Sequence, residues 1–121
     1  MVKLEDIIAY KIASNLSNYV WENTLTWDYF SKKTIGEQFV RAIDSIAANI
    51  AEGFGRYHKK DKIKFYYNSR ASVFESSFWC KKAYERKLLS TEQFNYILGE
   101  LRKLPKEINY QIKIMSINLK I

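Results

Sequence analysis

Five cations fall within residues 56–64, where Arg56, Lys59, Lys60, Lys62 and Lys64 surround a single acid, Asp61. A second cluster follows at Lys81, Lys82, Arg86 and Lys87. Cations crowded in this way offer phosphate-binding chemistry, because ammonium and guanidinium groups neutralise backbone charge and give affinity without sequence preference. The competing reading is a solvated basic face that only aids solubility. The charge is lopsided along the chain. Residues 1–54 hold five Lys or Arg against seven Asp or Glu, whereas residues 55–121 hold fifteen against six, within a net charge of +7. Such a balance favours an anionic partner, either nucleic acid or an acidic protein surface.

Covalent and metal chemistry find little material. His58 is the only histidine and lies among lysines, without the orienting carboxylate and nucleophile that a catalytic histidine needs. Cys80 is the only cysteine, so no internal disulfide forms, and one thiol with one imidazole makes no metal set. The acids lack a histidine three residues on, which excludes the Glu-x-x-His pairs of di-iron bundles. Gly53 and Gly55 follow a helical pattern, not a strand, and the rest of a dinucleotide fingerprint is missing. No catalytic residue, metal or cofactor is expected.

Helices must carry these groups. At 121 residues with 47% apolar content the chain suits one domain with a real core, and four glycines and one proline leave little for a turn-rich β fold. The first helix is predicted at 4–23, with Leu4, Ile8, Ile12 and Leu16 in a row that Ile7, Val20 and Trp21 widen. Residues 24–34 break the period and form the longest connection, pinned down by Trp27, Tyr29 and Phe30. The second helix, 35–54, opens on a capping box between Thr34 and Glu37, buries Ile35, Phe39, Ile43, Ile46 and Ile50, and ends on the left-handed cap that Gly53 or Gly55 can adopt. The third, 61–87, takes Asp61 as N-cap and is apolar on two sides. Ile63, Tyr67, Phe74 and Phe78 form one line, and Tyr66, Val73, Cys80 and Tyr84 a second that asks for a neighbouring subunit. The fourth, 91–118, starts from a Ser90–Gln93 capping box and carries Pro105, where a kink or break is expected. The fold class is therefore all-α, an antiparallel up-down-up-down four-helix bundle.

A polar row on the second helix, which includes Arg41, Ser45, Asn49, Glu52 and Arg56, suits a seam against another helix or subunit. Arg41, Glu52, Arg56, Arg70 and Glu75 are expected there as half-buried ion pairs that set register, with phosphate contact by Arg41 and Arg70 as the alternative. Aromatics at 16% exceed what a small bundle absorbs, so some rings belong at an interface. The N-terminus has no signal-peptide pattern, and no segment approaches the roughly 18 apolar residues of a membrane span. A reduced, cytoplasmic setting without membrane contact fits.

With those elements in place, the chain resembles the four-helix bundle proteins encoded in intervening sequences of bacterial 23S ribosomal RNA genes. The likeness rests on QFVRAIDSIAANIAEGFGR at 38–56 and FYYNSRASVFES at 65–76. Arg41, Ala42, Ser45, Ile46, Asn49, Ile50, Ala51, Glu52, Gly53, Gly55 and Arg56 match the first motif. Phe65, Arg70, Ser72 and Glu75 match the second, while Ser69 and Ala71 stand where alanine and glycine are frequent, and Pro105 is a departure. The resemblance implies antiparallel four-helix bundles that assemble as ring-like homopentamers, with no established catalytic site. A related branch, the accessory variability proteins of diversity-generating retroelements, presents a basic surface to a reverse transcriptase and nucleic acid. The expectation is a non-enzymatic homo-oligomer, a pentamer by resemblance, that binds RNA or DNA through the two lysine clusters. A scaffold for an acidic or polymerase-like protein partner is the alternative.

Overall fold

The computed structural model describes residues 1–117 and contains four long helices and no strand among them. A 3-10 turn at Leu4–Asp6 leads into α1, Ile8–Thr24; α2 is Glu37–Gly55, α3 is Lys59–Glu85 and α4 is Thr91–Ser116. The expected end of the last helix at position 118 lies outside the described residues. Each helix packs on the next, and α1 also packs on α4.

The α2 face is the one expected: Ile35, Phe39, Ile43, Ile46 and Ile50 are all buried. Each such side chain contributes about 1.5–3 kcal/mol of transfer free energy. In α4, Ile97, Leu98, Leu101, Leu104, Ile108 and Ile112 are likewise buried. Its capping box forms, with Ser90 Oγ accepting from the Gln93 amide at 3.0 Å and Gln93 Oε1 accepting from the Ser90 amide at 2.9 Å. Pro105 lies inside an unbroken helix, so of the expected kink or break the break does not occur.

The α1 face is rotated from the expected one. Ile8 and Trp21 are exposed, and the buried row is Ala9, Ala13, Leu16 and Val20. Small alanines at the contact let neighbouring helices come close, and this outweighs the bulk of the larger side chains beside them.

The connection after α1 is shorter than expected, because the chain turns helical again at Tyr29. Asp28 caps this start, its carboxylate accepting from the Ser31 amide at 3.2 Å. Hydrogen bonds from Ser31 hold the Asp28 carboxyl below its usual range. One α turn, Tyr29–Ser31, and a π-helical turn, Lys32–Gly36, then run straight into α2. The Thr34 capping box therefore does not form. No free helix start exists there, and the Thr34 hydroxyl instead donates to the Phe30 carbonyl at 2.8 Å while Glu37 pairs with Lys33 at 3.4 Å. Trp27 is buried as expected, beside Gly36, whereas Tyr29 and Phe30 stay exposed.

Between α2 and α3 the glycines do not act as a left-handed cap, since neither has positive φ. α2 ends when Arg56 turns extended. Gly53 serves a different need: a Cβ built there would lie 2.8 Å from the buried Tyr66 ring and 3.1 Å from the Lys62 carbonyl. α3 begins two residues before Asp61, at Lys59, with His58 in the cap position and no side-chain cap. The α3 positions turned inward are Tyr66, Ser69, Val73, Ser76, Cys80 and Ala83. Ser69 Oγ donates to the Ile46 carbonyl at 2.8 Å and ties α3 to the middle of α2. The second apolar line of the sequence is thus mostly core. It is the first line, Tyr67, Phe74 and Phe78, that remains exposed.

At its other end α3 closes on Lys87, the non-glycine residue with positive φ, at 62°. The Leu88 amide reaches the Ala83 carbonyl at 2.8 Å and the Lys87 amide the Tyr84 carbonyl at 3.0 Å. This is the helix closure that glycine ordinarily serves.

Two stability predictions follow from these helix ends. Gly53→Ala should destabilise by about 1–2 kcal/mol in chemical denaturation, because overpacking against the Tyr66 ring exceeds the gain in helix propensity. Gly99, with open space where its Cβ would be, is the control: Gly99→Ala should stabilise by about 1 kcal/mol. Equal responses at both sites would refute the close-packing account. Lys87→Gly should raise stability by about 0.5–1 kcal/mol, and a loss would show that the left-handed turn is not strained.

Candidate nucleic-acid interface

α3 and the residues that flank it carry both basic clusters, one at each end of the helix. From Lys60 to Lys82 the helix rises about 33 Å at 1.5 Å per residue, so the clusters form two separate footprints and not one compact patch. In the first, Lys60 and Lys64 are exposed and Lys59 is half-buried. Arg56 pairs with Glu52 at 3.0 Å and lies over the Phe65 ring at 4.6 Å. Lys62 points inward: its ammonium donates to the Phe54 carbonyl at 2.7 Å and lies 3.4 Å from that of Gly53. It thereby supplies a donor to the carbonyls at the end of α2 and meets the negative end of that helix's dipole. Partial burial lowers the Lys62 pKa from its ordinary value. Lys62 has a structural role that its spacing among other lysines conceals.

At the second end, Lys81, Arg86 and Lys87 are exposed, and Lys82 pairs with Glu85 at 3.4 Å. Tyr84 stacks on Phe94, with centroids 4.2 Å apart, and bonds Thr91 at 3.0 Å. This seats the start of α4 against the end of α3. Between the two clusters runs the exposed line of Tyr67, Phe74 and Phe78, with Phe74 at 65% exposure. The sequence contains a signal for this orientation: Ser69, Ser76 and Ala83 recur at heptad spacing and mark the side on which α3 approaches its neighbours most closely.

The α2 row lies on the surface of the chain, not in a seam between its helices. Ser45 donates to the Arg41 carbonyl and Asn49 to the Ser45 carbonyl, both at 2.8 Å, so these side chains fold back on their own helix. Arg41 pairs loosely with Glu37 at 4.0 Å. Arg70 does cross between helices, but its partner is the Asn109 amide oxygen at 2.5 Å, and Glu75 accepts from the Trp79 indole at 3.5 Å. Among the described residues no ion pair sets register between two helices, since each joins positions three or four apart. Such exposed pairs contribute little.

Reactivity is low at the one thiol. Cys80 is fully buried, and burial pushes its pKa up to about 12. None of the described helices is long and apolar enough to cross a membrane.

Sequence reasoning passed over two grooves. Trp21, Leu25 and Val40 line an apolar one of about 330 Å³ between α1 and α2, with Lys32 and Arg41 at its rim. The other, of about 530 Å³, is an open groove between α1 and the start of α4, lined by Asn15, Asn18, Glu22 and Gln93 beside Tyr19 and Tyr96. Asn15, Asn18 and Glu22 fall three and four residues apart, a spacing that places them on one helix face.

Comparison with known proteins fits this architecture. None of the curated proteins matches the chain. A crystal structure of a protein with unknown function, from the S23 ribosomal protein family of Bacteroides thetaiotaomicron, superposes with a TM-score of 0.77 at 17% identity. The match covers 88% of this chain and 99% of that one, and it establishes a shared fold. Residues 5–110 match the family described as 23S rRNA-intervening sequence protein. With the helices, the 38–56 motif and that match in agreement, the chain belongs to the 23S rRNA-intervening sequence protein family.

Proposed function

We propose that this protein is a non-enzymatic, cytoplasmic RNA-binding accessory protein. The observation that carries this reading is the placement of exposed cations at both ends of α3: Lys60 and Lys64 at one, with the half-buried Lys59 beside them, and Lys81, Arg86 and Lys87 at the other. Phosphates gripped at two footprints suit a structured RNA better than a short flexible strand. Lys87 adds support, since its strained backbone keeps a solvent-facing cation where glycine costs less. Arg56 and Lys82 supplement these footprints if their carboxylate partners yield.

The helices are read as one domain over residues 1–121, in up-down-up-down antiparallel order. The cross-helix contacts favour this: Lys62 meets Phe54 and Ser69 meets Ile46, while Arg70 meets Asn109 and Tyr84 meets Thr91. We further propose a ring-like homo-oligomer, a pentamer on the family's pattern. The aromatic line of α3 and the Trp21 groove are different surfaces of one protomer. A contact between unlike surfaces is heterologous, the kind of contact that builds a ring where its rotation closes.

A labelled structured RNA titrated between about 50 and 200 mM salt should lose affinity steeply, with a slope near −0.7 to −0.9 per phosphate neutralised. Combined Lys60→Ala and Lys64→Ala should weaken binding and flatten that slope by about 1.5–2. Binding that ignored both salt and these substitutions would overturn the phosphate reading. Survival of a protein partner after RNase treatment, with loss on substituting the α3 aromatics, would favour the scaffold instead. In sedimentation at micromolar concentration the protein should be an oligomer, and Phe74→Asp should dissociate it; a monomeric wild type would refute the assembly.

A further inference from the structure

The open cleft between α1 and α4 has a set of lining residues that phosphate binding does not account for. None of the residues that line it is a cation. Its one charged group, Glu22, would repel a phosphate, although it sits in a protein of net charge +7. Among the described residues, the side chains of Asn15, Asn18 and Glu22 engage no other protein group. Gln93 has one half of its amide committed, since its Oε1 accepts from the Ser90 amide at 2.9 Å. That bond fixes the orientation of the amide and leaves its NH₂ free to donate. Tyr96, half-exposed, leans on Tyr19 with centroids 4.6 Å apart and offers a ring face at the wall. Amides, an aromatic face and one unpaired carboxylate match a neutral, planar, hydrogen-bonding ligand.

We propose that this cleft holds an unpaired guanine of bound RNA. A carboxylate accepts only, and guanine is the base whose pairing edge presents two adjacent donors, N1–H and the N2 amino group. Glu22 can take both with its two oxygens, while the Gln93 or Asn18 amide donates to O6 and Tyr96 stacks on the ring. Adenine, cytosine and uracil each turn at least one acceptor toward the same carboxylate, which opposes their entry. Position fits as well: loop 86–90, with Arg86 and Lys87, leads directly into the first turn of α4, so cations for the flanking phosphates lie at the same end of the bundle. The inference rests on the RNA-binding reading and adds to it the recognition of one base.

The test uses the full chain and labelled single-stranded hexauridylate, with or without one central guanosine, adenosine or cytidine. The guanosine hexamer should bind about tenfold or more tightly than the other three. Glu22→Gln, an exposed and nearly isosteric change, should abolish that preference and leave hexauridylate binding unchanged or slightly stronger. Four hexamers within about twofold of each other, or a preference that survives Glu22→Gln, would overturn the guanine pocket. Salt-dependent binding under those same conditions would leave the phosphate reading intact. If no hexamer bound, a titration with free guanosine followed by NMR would decide the pocket by itself. Shifts confined to Asn15, Asn18 and Tyr96, and lost in Glu22→Gln, would support it, and their absence would overturn it.

Discussion

Everything else in this bundle depends on how closely α3 can approach its neighbours. Of the six positions it turns inward, Ser69, Ser76, Cys80 and Ala83 are small, and all four are fully buried. Helices separated by small side chains come closer than helices separated by leucines, and the close approach is then held by directed contacts. Ser69 supplies one such contact, to the Ile46 carbonyl. Ser76 shows the cost of the arrangement: its buried hydroxyl has no partner, a penalty of about 1–3 kcal/mol that packing must offset. With this face inward, the large residues on the opposite side of α3 have no room in the core. Tyr67, Phe74 and Phe78 go outward by necessity, and so do Lys60, Lys64 and Lys81.

The same constraint organises the corner between α2 and α3. Tyr66 is the largest residue on the inward face, and Gly53 is where α2 makes way for it. Bringing the helix end so near to α3 leaves the Gly53 and Phe54 carbonyls beside α3. The Arg56 amide reaches the first, and Lys62 supplies the donor to the second. A run of lysines that reads as one electrostatic patch therefore contains two kinds of residue, one that holds the fold and others that face solvent. Electrostatics at the surface and packing at the corner are solved by the same short run of chain.

The fold is legible in the sequence where bulk and burial coincide. The isoleucines of α2 and the leucines of α4 declare their faces directly, and Ser90 with Gln93 declares a helix start. The sequence misleads where small residues carry the contact. In α1 the bulk of Ile8 and Trp21 masks Ala9 and Ala13, and the serines of α3 conceal which aromatic line goes inside. Thr34 and Glu37 have capping-box spacing, yet the chain has already turned helical at Tyr29, behind the Asp28 cap, with Trp27 buried beside Gly36. Local capping rules state what a helix end would accept. They do not state whether the tertiary structure puts an end there.

The site divides in the same way. Phosphate affinity depends mainly on how many cations reach the surface, which composition nearly settles, so the lysine clusters stand out in the sequence by themselves. Their arrangement does not, because the 33 Å or so between them follows only from an unbroken α3. Recognition of a base is a different problem, since donors and acceptors must converge from separate elements on one small volume. Glu22 and Gln93 lie far apart in the sequence and line one groove only because α1 packs on α4. Neither residue carries a motif, and neither stands out in composition. A carboxylate with no partner, set in a cation-free cleft of an otherwise basic protein, becomes informative only once the fold has shown what surrounds it. That is why the charge of this chain points to a class of partner, whereas any preference within that class must come from the helices that the charge does not mark.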